Sequence, residues 1–117
     1  METEKEAQKL TFYIAVIVYE SSSDSPSYQK LFEENYVLVK ASSDEDARQK
    51  ALQLAQKGNH TYKNVYQENI TWTLKHIVDV SPVLSENFEH GSELFTRFFR
   101  NYQAYVAFEP FFSGGLQ

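Results

Sequence analysis

Carboxylates are the first residues in this chain whose types and spacing invite a chemical reading. The stretch from Phe32 to Ala51 reads FEENYVLVKASSDEDARQKA, with Glu33 and Glu34 before an apolar run and Asp44, Glu45 and Asp46 after it. Clustered carboxylates act as acid–base couples or hold divalent ions. Local structure gives these a plainer role. Alternation along a strand sends Glu33 and Glu34 to opposite faces, so they cannot work as a pair. Ser42 followed by Glu45 matches a capping box, in which hydroxyl and carboxylate satisfy the exposed amides of a helix start. Asp44, Glu45 and Asp46 then fall in the first turn, where the helix dipole favours negative charge. These acids read as architecture.

Other constellations are sparse. Glu89, His90 and Glu93 in the stretch EHGSE are close enough in sequence to suggest three N/O metal ligands, although a solvated turn around Gly91 is the favoured explanation. No metal site is assigned. His60 follows a helix end, where a cation complements the dipole. His76 stands between Leu74 and Val78 on the apolar side of a strand pattern, which suits a hydrogen-bonded core histidine better than a general base without a visible carboxylate partner. Glu34 lies between Phe32 and Tyr36 on one strand face and needs a partner if that face is buried. Arg97, flanked at alternate positions by Phe95 and Phe99, is such a partner. Trp72, with Tyr62, Asn64 and Tyr66, could line a groove or could simply form core and cross-strand pairs. There is no Gly-rich phosphate loop and no G-x-S-x-G elbow. The candidate ligand-binding set is therefore Glu34, Asn64, Trp72 and Arg97. No catalytic residue and no cofactor is expected, and an enzyme is the least favoured class.

Composition narrows the classes further. The 117 residues suffice for one modest core, and the 42% hydrophobic and 15% aromatic content suits a folded domain. Sixteen acids against eleven bases give a net charge of −5, which supplies no footprint for nucleic acid and none for an anionic membrane surface. Cysteine is absent, so disulfides and thiolate chemistry are excluded. The opening METEKEAQKL is charged where a signal peptide needs an apolar stretch. The expectation is a soluble cytoplasmic protein.

The elements that must position these residues follow from periodicity. TFYIAVIVYE is apolar on both faces and predicts a central strand, with LFEENYVLVKA as its hairpin partner. Ala47, Ala51, Leu54 and Ala55 form a narrow stripe on a helix over 43–57, with Gly58 suited to the residue just past its end. Tyr62 to Tyr66 and Ile70 to Val80 predict a second hairpin around Gln67-Glu68-Asn69. In the longer arm, Ile70, Trp72, Leu74, His76, Val78 and Val80 are predicted to share one face. Residues 93–108 fit either a strand or a helix. Residues 1–10 are expected to be disordered, 11–112 to form a single domain and 113–117 a flexible tail.

The run FYIAVIVYE, then FEENYVLVKASSDEDARQKA, YKNVYQENITWTLKHIVDV and HGSELFTRFF, resembles the bacterial family known as domain of unknown function 4288, over about residues 12–100. The resemblance implies a small α+β domain and no transferable activity, and it favours a strand at Glu93 to Phe99. The family usually has Gly where Gln67-Glu68 stands and Asp where His90 stands. The resulting fold expectation is α+β: an antiparallel sheet of about five strands in β-β-α-β-β-β order, one main helix on one face and a possible short C-terminal helix.

The aromatic surplus near the C-terminus is the chain's main oddity. Phe95, Phe98, Phe99, Tyr102, Tyr105, Phe108, Phe111 and Phe112 exceed what one small core covers. Burial between two copies is the simplest use for them, with Phe95, Phe98, Phe99, Tyr102 and Tyr105 as the candidate interface of a homodimer or of a contact with another protein. The leading reading is a non-enzymatic interaction or regulatory module. The alternative is a small-ligand-binding domain with a pocket between helix and sheet.

Overall fold

A strand with two apolar faces is stable only where both are covered, and the first strand takes that place. The computed structural model describes residues 9–85 and 87–109. Strand β1 (Thr11–Ser23) pairs antiparallel with β2 (Phe32–Ala41) on one side and with β4 (Asn69–Pro82) on the other, and β3 (His60–Lys63) adds to the far side of β4. The sheet order is β2-β1-β4-β3. Helix α1 (Asp44–Gln56) thus links the two edge strands by crossing one face of the sheet, and a short helix α2 (Tyr102–Phe108) comes near the end. This is an α+β fold with four strands, not the five expected. Glu93 to Phe99 is not a strand: it has no regular structure and crosses the sheet without joining its ladder. Aromatic enrichment favours strands mainly by packing, and here the Phe95 ring packs on Tyr36 without a strand to carry it. Of the ends expected to be disordered or flexible, 1–10 and 113–117, residues 1–8 and 113–117 lie outside the described residues.

The core lies between α1 and the sheet. Tyr13, Ala15, Ile17 and Tyr19 of β1 meet Ala47, Ala51 and Ala55 of α1, with Val39, Ala41 and Val80 completing the cluster. Alanines bring the helix axis close to the sheet, and the contact leaves Ala47 and Ala51 with 0% exposure. Tyr19 is a large polar-tipped ring in this layer, and its hydroxyl donates to the Ala55 carbonyl at 2.6 Å. Burial, then the charge of Glu33, raises the pKa of that phenol. Gly58 just beyond the helix makes the fit possible, because a Cβ there would sit 2.4 Å from the Tyr19 oxygen. Its role is close approach; among the described residues the only glycine with positive φ is Gly91, so Gly58 is not the left-handed cap that its position suggests.

The helix start is shifted by one residue from the expected box. Ser43 is the N-cap, its hydroxyl accepting from the Asp46 N–H at 3.1 Å. Asp46 in turn accepts from the Ser42 N–H at 3.0 Å and pairs with Lys50 at 3.1 Å. The Ser42 amide bond first, then Lys50, holds the Asp46 carboxyl below its ordinary pKa. At the other end of β1, the buried Ser21 hydroxyl accepts from the Leu31 N–H at 2.8 Å and from the Tyr28 hydroxyl at 2.7 Å, tying the serine-rich loop to the sheet.

Strand β4 departs from simple alternation. Its register against β1 shifts between Val16 and Ile17 and again between Val18 and Tyr19, leaving Val78 and Lys75 as extra residues. Each bulge inverts the facing of the residues beyond it. Trp72, Leu74 and Ile77 therefore pack on the α1 side, while His76 is exposed and does not join the core. Among the described residues, no helix is long and apolar enough to cross a membrane.

Two substitutions test this packing. Ser43→Ala is expected to cost about 1 kcal/mol in chemical denaturation through the lost cap, and Ser42→Ala distinctly less. Gly58→Ala is expected to destabilise by about 1–3 kcal/mol, since the buried Tyr19 ring must give way; an unchanged denaturation midpoint would show that the ring moves freely.

Candidate functional site

The face of the sheet away from α1 has no helix laid along it. Ile14 and Val16 of β1 are nevertheless buried there, beneath the chain that continues from β4. The Val83 N–H bonds to the Phe12 carbonyl at 2.9 Å, the Phe88 ring packs 5.3 Å from Phe12, and Phe95 meets Tyr36 edge-on at 5.7 Å. Between this segment, α2 and the sheet lies an open cleft of about 670 Å³. Its floor is Glu34 and Tyr36 of β2 with Val78 of β4, and its walls include Phe95, Arg97 and Tyr105.

Strand alternation brings Glu34 and Tyr36 to the cleft together, opposite Val18 and Val16 of β1. The Tyr36 hydroxyl donates to Glu34 over a long 3.4 Å. Burial first, and then the Glu34 charge, raises the Tyr36 pKa, while the charge of Arg97 acts in the opposite direction. Glu34 and Arg97 line one cavity but form no ion pair within 4.0 Å, so the cross-sheet salt bridge that their pairing suggests is not made. A carboxylate, a phenol and a guanidinium around an apolar floor can orient a polar group by hydrogen bonds.

Residues 12–96 match the family model described as Domain of unknown function (DUF4288). The chain belongs to this family. No curated protein and no solved structure matches it. The DUF4288 segment contains the sheet, α1 and the floor of the cleft, and it ends at Thr96. Arg97 and α2, which close the cleft, lie beyond it. Family membership assigns no activity to either part.

The four expected ligand-binding residues divide. Glu34 and Arg97 converge in the cleft. Trp72 packs against the α1 core on the opposite face. Asn64 belongs to the β3–β4 turn: its side-chain oxygen accepts from the Tyr66 and Glu68 N–H groups at 2.9 and 3.0 Å, and its amide donates to Glu68 at 2.8 Å. That turn holds Gln67 at φ 65°, the left-handed region that glycine adopts without strain and that the DUF4288 resemblance fills with Gly. Between the main helix and the sheet, where a pocket was expected, the alanine stripe packs directly on Tyr13, Ala15, Ile17 and Tyr19.

The candidate interface residues lie together near the cleft in unequal states. Phe98 is 94% exposed, and Phe99 stacks on Tyr105 at 4.7 Å, with Tyr102 beyond it at 6.3 Å. Phe95 is half-buried against Tyr36. Sequence reasoning missed Val78, because no local signal marks the bulge that turns it into the cleft. Tyr36 was legible from its i, i+2 relation to Glu34. The EHGSE stretch is a turn, with Gly91 at φ 90°, the Ser92 N–H bonding to Glu89 and Glu93 accepting from Thr96. Among the described residues, no group of three or more His, Asp or Glu is placed to hold a metal ion. His60 is structural, its Nδ1 bonding to the Gly58 carbonyl at 2.7 Å.

Proposed function

We propose that this DUF4288 protein is a non-enzymatic interaction module that acts as a homo-oligomer, most simply a two-fold dimer. The observation that carries the reading is the exposed aromatic surface beside the cleft: Phe98 at 94%, Phe108 at 70% and Tyr102 at 55% exposure, with Phe32 at 58% and Tyr36 at 54% on the adjoining strand. Single exposed apolar residues are ordinary, whereas a contiguous aromatic group on one face is the composition of an association surface. A second copy offers the same surface, so a two-fold contact covers both at once.

Light scattering coupled to size exclusion is expected to give twice the monomer's 13.6 kDa. Phe98→Ser with Phe108→Ser is expected to lower that mass while the far-ultraviolet spectrum stays unchanged. A folded double variant of undiminished mass would remove the aromatic surface from the contact.

The cleft favours a second reading, as a small-ligand-binding domain. Its volume falls within the range of about 300–1,000 Å³ usual for ligand pockets, and Glu34 and Arg97 present opposite charges across an apolar floor. A thermal-shift screen of nucleotides and common metabolites tests it. A ligand at about 100 times its dissociation constant adds about 2.7 kcal/mol, which moves the midpoint of so small a domain by several degrees. Under this reading the shift disappears in Arg97→Ala, and a panel with no shift counts against the pocket.

A further inference from the structure

Strand β2 is an edge strand with neither a proline nor a bulge to prevent pairing. It runs for ten residues, Phe32–Ala41, about twice the usual length of about five, and it holds no proline. The register shifts of the sheet lie in the β1–β4 pair, so β2 itself is regular. Which of its backbone groups face outward is set by the ladder. The Val83 N–H bonds to the Phe12 carbonyl, so the backbone groups of Phe12 point away from β2 and its partner Lys40 directs its own outward. By alternation Leu38, Tyr36, Glu34 and Phe32 do the same. Lys50 reaches round to donate to the Lys40 carbonyl at 3.0 Å, which agrees with that direction. Apart from β1, no backbone group among the described residues bonds to β2. The residues with outward backbone groups also carry the exposed side chains of the cleft face: Phe32 at 58%, Tyr36 at 54% and Leu38 at 46%.

We infer that β2 is the joint between two copies of this chain, the two edges pairing antiparallel about a two-fold axis at Val37 so that one sheet continues into the next. The occupant is a second copy because the strand is complementary to itself in charge. Glu34 and Lys40 lie three residues to either side of Val37, so that register sets Glu34 of each copy opposite Lys40 of the other, twice over. Tyr36 then faces Leu38 of the second copy, an apolar pair beside the charged one. Neither Glu34 nor Lys40 has an ion-pair partner within its own chain among the described residues. A register one step of two residues away sets Glu34 against Leu38 and loses both charge pairs. The Lys50 bond occupies one lone pair of the Lys40 carbonyl and leaves the other for the new ladder. The joint also brings the two aromatic faces to the same side of the combined sheet.

This inference rests on the homo-oligomer reading and sharpens it, and charge reversal with sedimentation equilibrium tests it. Glu34→Lys alone and Lys40→Glu alone each set like charges opposite one another twice, and are expected to raise the dimer dissociation constant about tenfold. The double variant, Glu34→Lys with Lys40→Glu, restores the pairs and is expected to recover affinity, which a merely structural role for either residue would not do. Leu38→Pro removes an outward N–H without touching the β1 ladder, so it is expected to dissociate the dimer and keep the monomer's fold. A wild-type dimer untouched by all four variants overturns the β2 joint and leaves the homo-oligomer reading standing. A wild-type protein monomeric at every concentration overturns both.

Discussion

The contact between the alanines of α1 and the central strand sets the geometry on which the other parts depend. Ala47, Ala51 and Ala55 allow the helix backbone to approach the sheet closely, and Tyr13, Ala15, Ile17 and Tyr19 fill the remaining space. In a layer packed this tightly, the only room for a polar atom is where a partner waits, and the Ala55 carbonyl receives the Tyr19 hydroxyl. Gly58 follows the helix at the point where any side chain would strike that ring. Helix position, helix length and the route from one sheet edge to the other are therefore coupled through one side chain.

That coupling divides the molecule into two unlike halves. One face of the sheet is a closed core in which Tyr13 and Tyr19 fill the space left by the small alanines. The other carries Ile14 and Val16 in its centre, and the chain beyond β4 must cover them. The covering segment is irregular, held by rings such as Phe88 on Phe12 and Phe95 on Tyr36, and it bridges the sheet without sealing it. The cleft and the exposed aromatics are two consequences of this incomplete cover. Binding surfaces belong on such a half, since the apolar area left in contact with water is what association can still bury.

How far the site was legible depended on the range of the interactions behind each residue. Glu34 and Tyr36 share a face by a rule of two residues, and the structure keeps them together. Arg97 joins them only because the chain folds back over the sheet. Glu34 is exposed there and makes no ion pair with it, so the counter-charge that a buried carboxylate would need is not what brings them together. Val78 and His76 were placed with Trp72, Leu74 and Val80 by extending one alternation through β4; two bulges turn Val78 and His76 away and return Trp72 and Leu74 to the expected face. A bulge is stabilised by the twist and pairing of its neighbours, so the bulged strand's own residues need not announce it. Asn64 looked like a ligand-binding amide and proved to hold a turn, a common fate of Asn near a left-handed residue.

From the sequence alone came what short-range physics fixes: the central place of β1, the β1–β2 hairpin, the acidic start and alanine stripe of α1, and the lack of any signature for phosphate or thiolate chemistry. Each rests on periodicity, capping or residue chemistry within a few positions. Tertiary structure alone decided which face α1 covers, where Val78 and His76 point, and that Glu93 to Phe99 lies over the sheet instead of extending it. The physical reason is that apolar faces are satisfied by any cover of the right shape. Local pattern shows that a face must be buried, and only the assembled sheet shows what buries it.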